Sequence, residues 1–415
     1  MPLFPLHPVT RLWPPVLLGS QFIFNIGFYG VVPFLAIFLR DDMMLSGGLI
    51  GLILGLRTFS QQGMFIFGGA LSDRFGAKVI ILCGCITRVT GYLLLAFGQS
   101  LWLIIPGACL TGIGGALFSP SIEALLAKAG TQSEANGKRS RAEWFALFAV
   151  CGEVGAVLGP VAGAMLTDLG FRLVALAGAG VFVVASVILY LCLPAAQHNT
   201  QGLKVLPWWR AFRKPRFVAF IIAYSSWLLS YNQLYLALPV EIQRSGSHEK
   251  DLGPLFMLAS VLIIAFQLPL ARFARRVGAA RILPLGFLLL SAAFASVALF
   301  AATEPPVGWL RLMPAVCLVT LLTFGQMLLV PTAKDLIPGF AGESAPGAYF
   351  GALSTVGGCA VLAGNLLSGK LLDYALIPST QAIYPWLLLA LFPLCSSVAM
   401  ALICRQLPVT PASKP

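Results

Sequence analysis

Three ionisable side chains, Arg57, Arg88 and Glu153, lie near the middle of long apolar runs in this sequence. A charged group is costly to bury in hydrocarbon, and such residues usually mark the path of a substrate or an ion. Glu153 is the only carboxylate that we place clearly inside an apolar run, and with the two arginines beside it we predict a proton-coupling group. The structural alternative is a permanent ion pair between Glu153 and one arginine that holds helices together.

The elements that must position these groups are membrane-spanning helices. Of the 415 residues, 58% are hydrophobic and 10% are charged, whereas a soluble domain carries about a quarter charged residues. Apolar runs of about 20 residues, long enough to cross a hydrocarbon layer of about 30 Å, recur along the chain. The sequence therefore predicts an all-α membrane protein with twelve transmembrane helices. The predicted spans are residues 14–39, 46–71, 78–98, 101–128, 144–167, 171–194, 216–240, 252–272, 280–302, 308–333, 346–372 and 383–404.

The two halves of the chain resemble each other. The segment GGALFSPSIEAL from Gly114 aligns with GQMLLVPTAKDL from Gly325, and the longest polar interruption of the chain lies between them. Parallel six-helix repeats are typical of transporters that bind a substrate between two pseudo-symmetric bundles. We therefore predict an amino-terminal six-helix half at residues 1–194, a cytoplasmic linker at residues 195–215 and a carboxyl-terminal six-helix half at residues 216–415.

The positive charge of the chain is explained by its orientation in a membrane. The formal net charge is +12, and most of the 27 lysines and arginines fall on the side that holds both predicted termini and the central linker. Cytoplasmic loops carry this excess of lysine and arginine. We predict a multi-pass protein of a bacterial-type cytoplasmic (inner) membrane with both termini in the cytoplasm. Its expected partners are the lipid bilayer, a small-molecule substrate and protons, without nucleic acid, and it is expected to act as a monomer.

Catalytic and metal-binding patterns are missing from the sequence. The nine cysteines fall mostly inside apolar runs, and the three histidines lie in polar stretches away from the predicted spans. An intramembrane enzyme would need a nucleophile with a base, or a cluster of metal ligands, at membrane depth. We therefore expect no enzymatic activity, no metal and no cofactor.

The segment GALSDRFGAK, residues 69–78, joins the second and third predicted spans. It matches the pattern G-x-L-x-D-R-x-G-x-K, and the chain resembles the major facilitator superfamily over essentially its whole length. The resemblance implies a gating loop in which Asp73 faces the positive end of a helix in the other half and holds one access state. In the corresponding loop of the second half, Arg275 stands at the position of Asp73, so the second loop departs from the pattern. The predicted gating residues are Gly69, Asp73, Arg74, Gly76 and Lys78.

The fifth predicted span contains GAVLGPVAGA, which resembles the antiporter signature G-x-x-x-G-P-x-x-G of the same superfamily. Uptake members generally lack this signature, although small residues at this spacing also serve close helix packing. The family often places an arginine in the fourth span, where this chain has Ala108. Arg88 in the neighbouring span is the candidate substitute, in a pattern that resembles the MdtH-like branch of multidrug exporters. The predicted antiporter residues are Gly155, Gly159, Pro160 and Gly163.

Polar residues on several predicted spans are candidates to line a substrate cavity, although each is equally suited to hydrogen bonds between helices. The reading that these motifs favour is a multidrug-type exporter that exchanges amphipathic organic molecules for protons. One alternative is a dedicated exporter of a siderophore or similar anionic metabolite, attracted by the two buried arginines. Another is a proton-coupled uptake symporter. The predicted cavity residues are Asn25, Tyr29, Arg57, Gln61, Tyr231, Asn232, Gln326 and Asn365.

Overall fold

The structure is a computed structural model of the chain. It describes residues 13–45, 47–167, 169–193, 208–247, 252–305, 308–342, 346–376 and 378–405, and within these ranges it contains helices and connecting turns but no β-strand. Its α-helices are α1 (Trp13–Tyr29), α2 (Val32–Asp41), α3 (Gly47–Phe75), α4 (Ala77–Phe97), α5 (Leu101–Ala135), α6 (Arg141–Thr167), α7 (Phe171–Cys192), α8 (Pro215–Arg244), α9 (Leu252–Val277), α10 (Ala279–Ala301), α11 (Met313–Ala341), α12 (Gly347–Leu372) and α13 (Ile383–Arg405). Short 3-10 helices occupy Trp208–Arg213, Gly308–Leu312, Asp373–Leu376 and Thr380–Ala382.

The prediction of an all-helical membrane protein is confirmed. Every predicted span corresponds to one helix or, for the first span, to the pair α1 and α2. Within the described residues, ten stretches are long and apolar enough to cross a membrane. The other two predicted spans, α3 and α8, are interrupted by polar side chains such as Arg57 and Gln61 on α3 and Asn232 on α8.

The first predicted span differs from expectation because it is broken at Gly30 and Val31. Pro33 lies in the first turn of α2. A proline has no backbone N–H, so Pro33 cannot donate to the carbonyl of Tyr29, and its ring also disfavours a helical conformation at Val32. The chain therefore ends α1 at Tyr29 and starts a new helix, while the whole stretch keeps the length and apolarity of one span.

The structure divides the chain into two compact units. Unit 1 comprises residues 1–211 and 337–355, and unit 2 comprises residues 212–336 and 356–415. Unit 1 therefore includes residues 337–355 of the predicted carboxyl-terminal half, whereas unit 2 includes no residue of the predicted amino-terminal half. The division at residues 1–194 and 216–415 stays a prediction. Most of the predicted linker, namely residues 195–207, lies outside the described residues.

Unit 1 is held together by backbones that approach closely at glycines. A Cβ atom added to Gly84 on α4 would lie 2.8 Å from the carbonyl oxygen of Gly114 on α5. A Cβ added to Gly91 would lie 2.8 Å from the carbonyl oxygen of Gly107. Small residues at helix contacts allow the extensive van der Waals packing that drives helix association in lipid. This close packing of α4 on α5 brings the side chains of both helices to the buried centre of unit 1.

Unit 2 uses serine hydroxyls to join neighbouring helices. On α10, Ser291 Oγ donates to the carbonyl oxygen of Ala390 on α13 at 2.9 Å, and Ser397 Oγ on α13 donates to the carbonyl oxygen of Pro284 at 2.8 Å. Hydroxyl groups of this kind hydrogen-bond across helices inside a membrane, where water is absent. The α10 and α13 helices are thereby fixed to each other at two levels.

Candidate functional site

Arg57 on α3 and Arg88 on α4 both lie against the ring of Phe28 on α1. The Cζ atoms of the two arginines are 5.0 Å and 5.2 Å from the centroid of that ring. Since both are measured to one centroid, the two guanidinium groups are at most about 10 Å apart. Both residues are buried, with 8% and 2% of their surface exposed. The structure therefore brings together the two arginines that the sequence singled out.

The guanidinium group of Arg88 is surrounded by aromatic rings. Its Cζ atom is 5.1 Å from the ring centroids of Phe118 and Phe182, in addition to Phe28. Its Nε donates to the carbonyl oxygen of Thr111 at 3.0 Å. Cation–π contacts of this kind offset part of the cost of removing the charge from water. In the part of the chain that the structure describes, Arg88 Nη2 has no hydrogen-bond acceptor.

Arg57 has weak, neutral hydrogen-bond partners. Its Nη1 donates to Gln61 Oε1 and its Nη2 donates to Thr58 Oγ1, both at 3.3 Å. Among the described residues, the hydrogen-bond acceptors of Arg57 and Arg88 are an amide, a hydroxyl and a backbone carbonyl, and none is a carboxylate. Buried charges are ordinarily paired with an opposite charge, so two buried arginines with neutral hydrogen-bond acceptors are a distinctive feature of unit 1.

Two glycines of α5 make room for the arginine side chains. A Cβ atom on Gly115 would lie 2.9 Å from Arg88 Nη2 and 3.2 Å from Gln61 Nε2, and a Cβ on Gly114 would lie 2.8 Å from Arg88 Cβ. Any larger residue would push these side chains aside. Sequence reasoning missed both glycines, for which only the Gly-rich run of α5 offered a signal. Phe28 suits an amphipathic ligand by its residue type, but the sequence did not distinguish it from phenylalanines that face lipid.

Glu153 lies on α6 and is partly exposed. Its neighbour Gly152 packs against α1, where an added Cβ would lie 2.9 Å from Asn25 Nδ2 and 3.0 Å from Gln21 Nε2. In the described residues, Glu153 is not among the hydrogen-bond acceptors of Arg57 or Arg88. Its role in proton coupling stays a prediction.

The predicted antiporter glycines form the contact between α6 and α1. A Cβ added to Gly155 would lie 2.9 Å from Asn25 Cβ, and a Cβ added to Gly159 would lie 2.9 Å from Tyr29 Cβ. A Cβ on Gly163 would collide with the backbone of Gly30. Pro160 lies within α6 between them. The glycines thus have a packing role, which brings the cavity candidates Asn25 and Tyr29 against α6, whereas an antiporter role stays a prediction.

Asp73 binds the first turn of α12. Its Oδ1 accepts the backbone N–H of Gly347 and its Oδ2 accepts that of Ala348, both at 2.9 Å, and all three residues belong to unit 1. The first N–H groups of a helix have no acceptor within the helix and carry its positive dipole end, so a carboxylate is the natural partner. Asp73 lies beyond the predicted end of the second span at residue 71. Burial raises the pKa of Asp73 to about 6, while the two backbone hydrogen bonds act in the opposite direction.

Thr355 supports the same contact two turns further along α12. Its Oγ1 accepts the backbone N–H of Ile66 and donates to the carbonyl oxygen of Gln62, each at 3.2 Å. Gly69 is needed here as well, because an added Cβ would collide with the backbone of Gly347. The sequence pattern identified Gly69 but gave no signal for Thr355.

The remaining residues of the predicted gating loop shape the turn into α4. Gly76 has φ +90°, a conformation that side chains rarely adopt. Lys78 Nζ donates to the carbonyl oxygen of Leu193, the C-cap residue of α7, at 2.6 Å and lies 5.1 Å from the ring centroid of Tyr190. Arg74 is exposed, with its Cζ 5.3 Å from the ring centroid of Phe75.

A family model described as Major Facilitator Superfamily matches residues 17–365 of the chain. The chain belongs to the major facilitator superfamily. It is 35% identical over 366 residues to an uncharacterized MFS-type transporter of Mycobacterium tuberculosis, covering 87% of this chain and 86% of the relative. It is 29% identical over 367 residues to the multidrug resistance protein MdtH of Aeromonas hydrophila, covering 88% of each protein. Membership indicates a membrane transporter rather than an enzyme.

Solved structures of this superfamily share the fold. The human organic anion transporter MFSD10 (TETRAN) matches with a TM-score of 0.73 and 19% identity, over 94% of this chain and 100% of that one. The transporter FucP in its outward conformation matches with a TM-score of 0.70 and 13% identity, over 96% and 99% of the two chains. The predicted fold of two six-helix bundles is therefore confirmed as that of the major facilitator superfamily.

In this superfamily member, the predicted cavity residues of unit 2 form an amide network. Gln233 Nε2 on α8 donates to Asn365 Oδ1 on α12 at 2.9 Å, and Asn365 Nδ2 donates back to Asn232 Oδ1 at 3.1 Å. Tyr231 packs beside Trp227, with ring centroids 6.2 Å apart and the ring planes tilted by 38°. These hydrogen bonds join α8 to α12, so Asn232 and Asn365 have an interhelical role. The role of these residues in substrate binding stays a prediction.

Gln326 on α11, the remaining cavity candidate, is only partly buried as a residue. Its Oε1 atom is nevertheless shielded from solvent and has no hydrogen-bond partner among the described residues. An amide oxygen in this state is available to accept a hydrogen bond from a bound molecule, and its assignment to the cavity stays a prediction.

A buried ion pair at the end of α8 was missed by sequence reasoning. Arg244 Nε and Nη2 donate to Glu241 Oε2 and Oε1, each at 2.8 Å, and both side chains are fully buried. Arg244 Nη1 also donates to the carbonyl oxygens of Phe300 and Thr303 at the end of α10. The predicted span ended at residue 240, whereas α8 continues to Arg244. A bidentate pair that also caps α10 indicates a structural role.

Proposed function

We propose that the protein is a secondary active transporter that exports amphipathic organic molecules in exchange for protons by alternating access. Membership of the major facilitator superfamily supports the transport mechanism, and the MdtH proteins supply relatives named for multidrug resistance. The observation that carries the proposal is the pair of hydrogen bonds from the first turn of α12 to Asp73. It gives the chain a defined contact that can form in one access state and break in another.

The gating step follows from the chemistry of that contact. A carboxylate that accepts two N–H groups at a helix N-terminus makes short, charge-assisted hydrogen bonds. Both donors and the acceptor are polar groups that water can satisfy once the contact opens. The contact therefore biases one access state without locking the protein in it, which alternating access requires. The residues proposed to act in this step are Gly69, Asp73, Arg74, Gly76 and Lys78.

Proton coupling is assigned to Glu153. A carboxylate on a membrane helix exchanges a proton when it is exposed to water on either side in turn. We expect protonation of Glu153 and binding of substrate to compete, so that a proton moves inward as substrate moves outward. The packing of Gly152 and Gly155 against Asn25 on α1 fixes the height of Glu153 in unit 1. Arg57 and Arg88 are the proposed positive partners of this cycle.

The cellular setting and assembly belong to the same proposal. The protein is placed in a bacterial-type cytoplasmic membrane as a functional monomer, with both termini in the cytoplasm. The two six-helix halves at residues 1–194 and 216–415 are proposed to move about the linker at residues 195–215. Within them the substrate contacts are Asn25, Tyr29, Arg57, Gln61, Tyr231, Asn232, Gln326 and Asn365.

A second candidate is a dedicated exporter of an anionic metabolite such as a siderophore. It is favoured by one observation: the described hydrogen-bond partners of Arg57 and Arg88 include no carboxylate. The gating and proton-coupling steps would be the same in such a transporter, and only the cargo would differ.

The test uses proteoliposomes with an imposed pH gradient and measures uptake of ethidium as a model amphipathic dye. Wild-type protein is expected to accumulate dye only with the gradient, and Glu153→Gln is expected to lose this accumulation. Glu134→Gln is the matched control, because Glu134 is exposed at the end of α5 beyond the predicted span. Gradient-driven transport that persists in Glu153→Gln would overturn the proton-carrier assignment. A siderophore is assayed in the same way, and absence of gradient-driven transport of both compounds would overturn the proposed function.

A further inference from the structure

The arginine cluster, which we define as Arg57, Gln61, Arg88 and the ring of Phe28, carries two buried positive charges. Burying a charge without an opposite charge is expensive. The described residues offer Arg57 and Arg88 only neutral acceptors, and the aromatic rings around Arg88 offset only part of the cost. An anion that entered the cluster would remove this cost directly.

The hydrogen-bond donors of the cluster converge on one place. Arg88 Nη2 is buried without an acceptor in the described part of the chain. A Cβ added to Gly115 would be 2.9 Å from this atom and 3.2 Å from Gln61 Nε2, so both donors border the same small space. Gln61 presents its Oε1 to Arg57 Nη1 at 3.3 Å, a long hydrogen bond that a stronger acceptor would replace.

The cluster is reached past two partly exposed side chains. Phe28 and Gln61 are intermediate in exposure, whereas Arg57 and Arg88 are buried. Phe28 offers an aromatic face, and Gln61 can leave Arg57 by rotating about its side-chain bonds. A molecule with an apolar body and an acidic group therefore meets first a ring and then two guanidinium groups.

We propose that the arginine cluster binds the acidic group of an amphipathic organic anion, with the apolar part of that molecule against Phe28. The inference rests on the proposed function, since it adds organic anions as one class of exported molecule and assigns the group of residues that binds their acidic end. A carboxylate accepts from Arg88 Nη2 and Arg57 Nη1 and displaces Gln61. A cation at the same place would meet two positive charges without a described carboxylate to receive it.

The first experiment measures binding rather than transport. Purified protein in detergent is titrated with radiolabelled 2-naphthoate in a scintillation proximity assay, and unlabelled 2-naphthoate, 2-naphthamide and 2-naphthylmethylammonium compete. These three probes share one aromatic body and differ in charge. We expect 2-naphthoate to compete at least about tenfold better than the other two, because a buried charged hydrogen bond is lost without the carboxylate. Equal competition by all three would overturn the proposal.

The second experiment introduces a carboxylate into the arginine cluster by mutation, so that a bound anion is no longer needed there. Gln61→Glu places a carboxylate beside both arginines and is expected to weaken 2-naphthoate binding about tenfold or more while raising the thermal stability of the protein. Gln62→Glu is the matched control, since it adds the same charge about 100° around the helix, and it is expected to retain binding. Undiminished binding by Gln61→Glu would overturn the proposal.

The outcomes separate this inference from the proposed function. Selective 2-naphthoate binding without gradient-driven transport would support the arginine cluster and overturn the exporter. Gradient-driven ethidium transport with no preference for 2-naphthoate would support the exporter and overturn the assignment of an organic anion to the cluster.

Discussion

The loop between α3 and α4 and the loop between α9 and α10 have the same backbone turn but different charges. Gly76 precedes α4 with φ +90° and ψ 140°, and Gly278 precedes α10 with φ +88° and ψ 150°. Three residues before each glycine, the first loop has Asp73 and the second has Arg275. Asp73 accepts two N–H groups of α12, whereas Arg275 is exposed.

The difference in charge distinguishes the residues that form the turn from the residue proposed to act in gating. Glycine at positive φ lets each loop enter the next helix at once, and this need is the same in both repeats. Accepting the N–H groups of a helix needs an oxygen acceptor, which a guanidinium group lacks. The two repeats therefore share a geometry, and only the first carries the proposed gating chemistry.

The largest effect is expected from making the first loop resemble the second. Asp73→Arg removes both acceptors and places a positive charge at the positive end of α12, so gradient-driven ethidium transport should fall by about 100-fold, in line with the loss of two charge-assisted hydrogen bonds. Arg275→Asp is the reciprocal control and should change the initial transport rate less than about twofold. Equal losses in the two variants would contradict the proposed asymmetry.

The shared turn should give equal effects in both loops. Gly76→Ala and Gly278→Ala each force a Cβ into a backbone conformation of positive φ and extended ψ that is essentially restricted to glycine. The cost of about 1–3 kcal/mol should lower the midpoint of thermal unfolding by several degrees. Gly180→Ala is the control, because Gly180 lies within α7 and an added Cβ there would have nothing within 4 Å. Alanine favours a helix, so this control should be neutral or stabilising. A fall in only one loop would show that the turns are not equivalent.

A smaller effect is expected at Thr355, which supports only the first loop. Thr355→Val removes the hydroxyl that bonds Ile66 N–H and the Gln62 carbonyl, and this should cost about 1 kcal/mol of stability. Thr355→Ser keeps the hydroxyl and should retain most of that stability. The midpoints of thermal unfolding in detergent distinguish the two variants. Identical midpoints for Thr355→Val and Thr355→Ser would show that the hydroxyl does not stabilise this contact.

The smallest effect concerns pH. Burial raises the pKa of Asp73 to about 6 in the contact, and in water the value would return to about 3.9. At a pH between these two pKa values, Asp73 binds more protons in the contact than in water. Lowering the pH from about 7.5 to 5 should therefore favour the contact. Ala348 is buried, so a cysteine at this position reacts with a thiol reagent only when the contact between Asp73 and α12 opens. The measurement uses Ala348→Cys in a variant from which the other cysteines have been removed.

The labelling rate of the cysteine at position 348 is divided by the rate in the same protein carrying Asp73→Asn. Dividing the two rates cancels the pH dependence of the thiol itself. The ratio should fall as the pH falls, because the contact that buries position 348 becomes more populated. A ratio that rises under acid conditions would contradict the direction of the shift.

The sequence was a good guide to the helices. Length and apolarity predicted every span because both are properties of the local chain. The break at Val31 was missed, since Pro33 interrupts a run whose composition still satisfies the requirements of one span. Glu241 was missed because the predicted α8 ended one residue before it, although its i,i+3 spacing to Arg244 was a visible signal for an ion pair.

Prediction of the candidate site was only partial. Depth along a helix follows from residue number, so Arg57 and Arg88 could be placed at a similar level. Their shared contact with Phe28 depends on how α1 rotates about its axis, and that rotation is set by tertiary packing at Gly155 and Gly159. The depth of Arg57 and Arg88 along their helices also could not show that their described hydrogen-bond acceptors include no carboxylate.

The hydroxyl of Thr355 has a consequence for reversibility. It bonds Ile66 N–H and the carbonyl of Gln62, the donor and acceptor that an α-helix ordinarily joins to each other. When α12 withdraws from this place, the two groups of α3 have each other as partners and need no water. The backbone of α3 thus stays hydrogen-bonded, and the contact can be made and broken repeatedly without leaving these two polar groups unpaired.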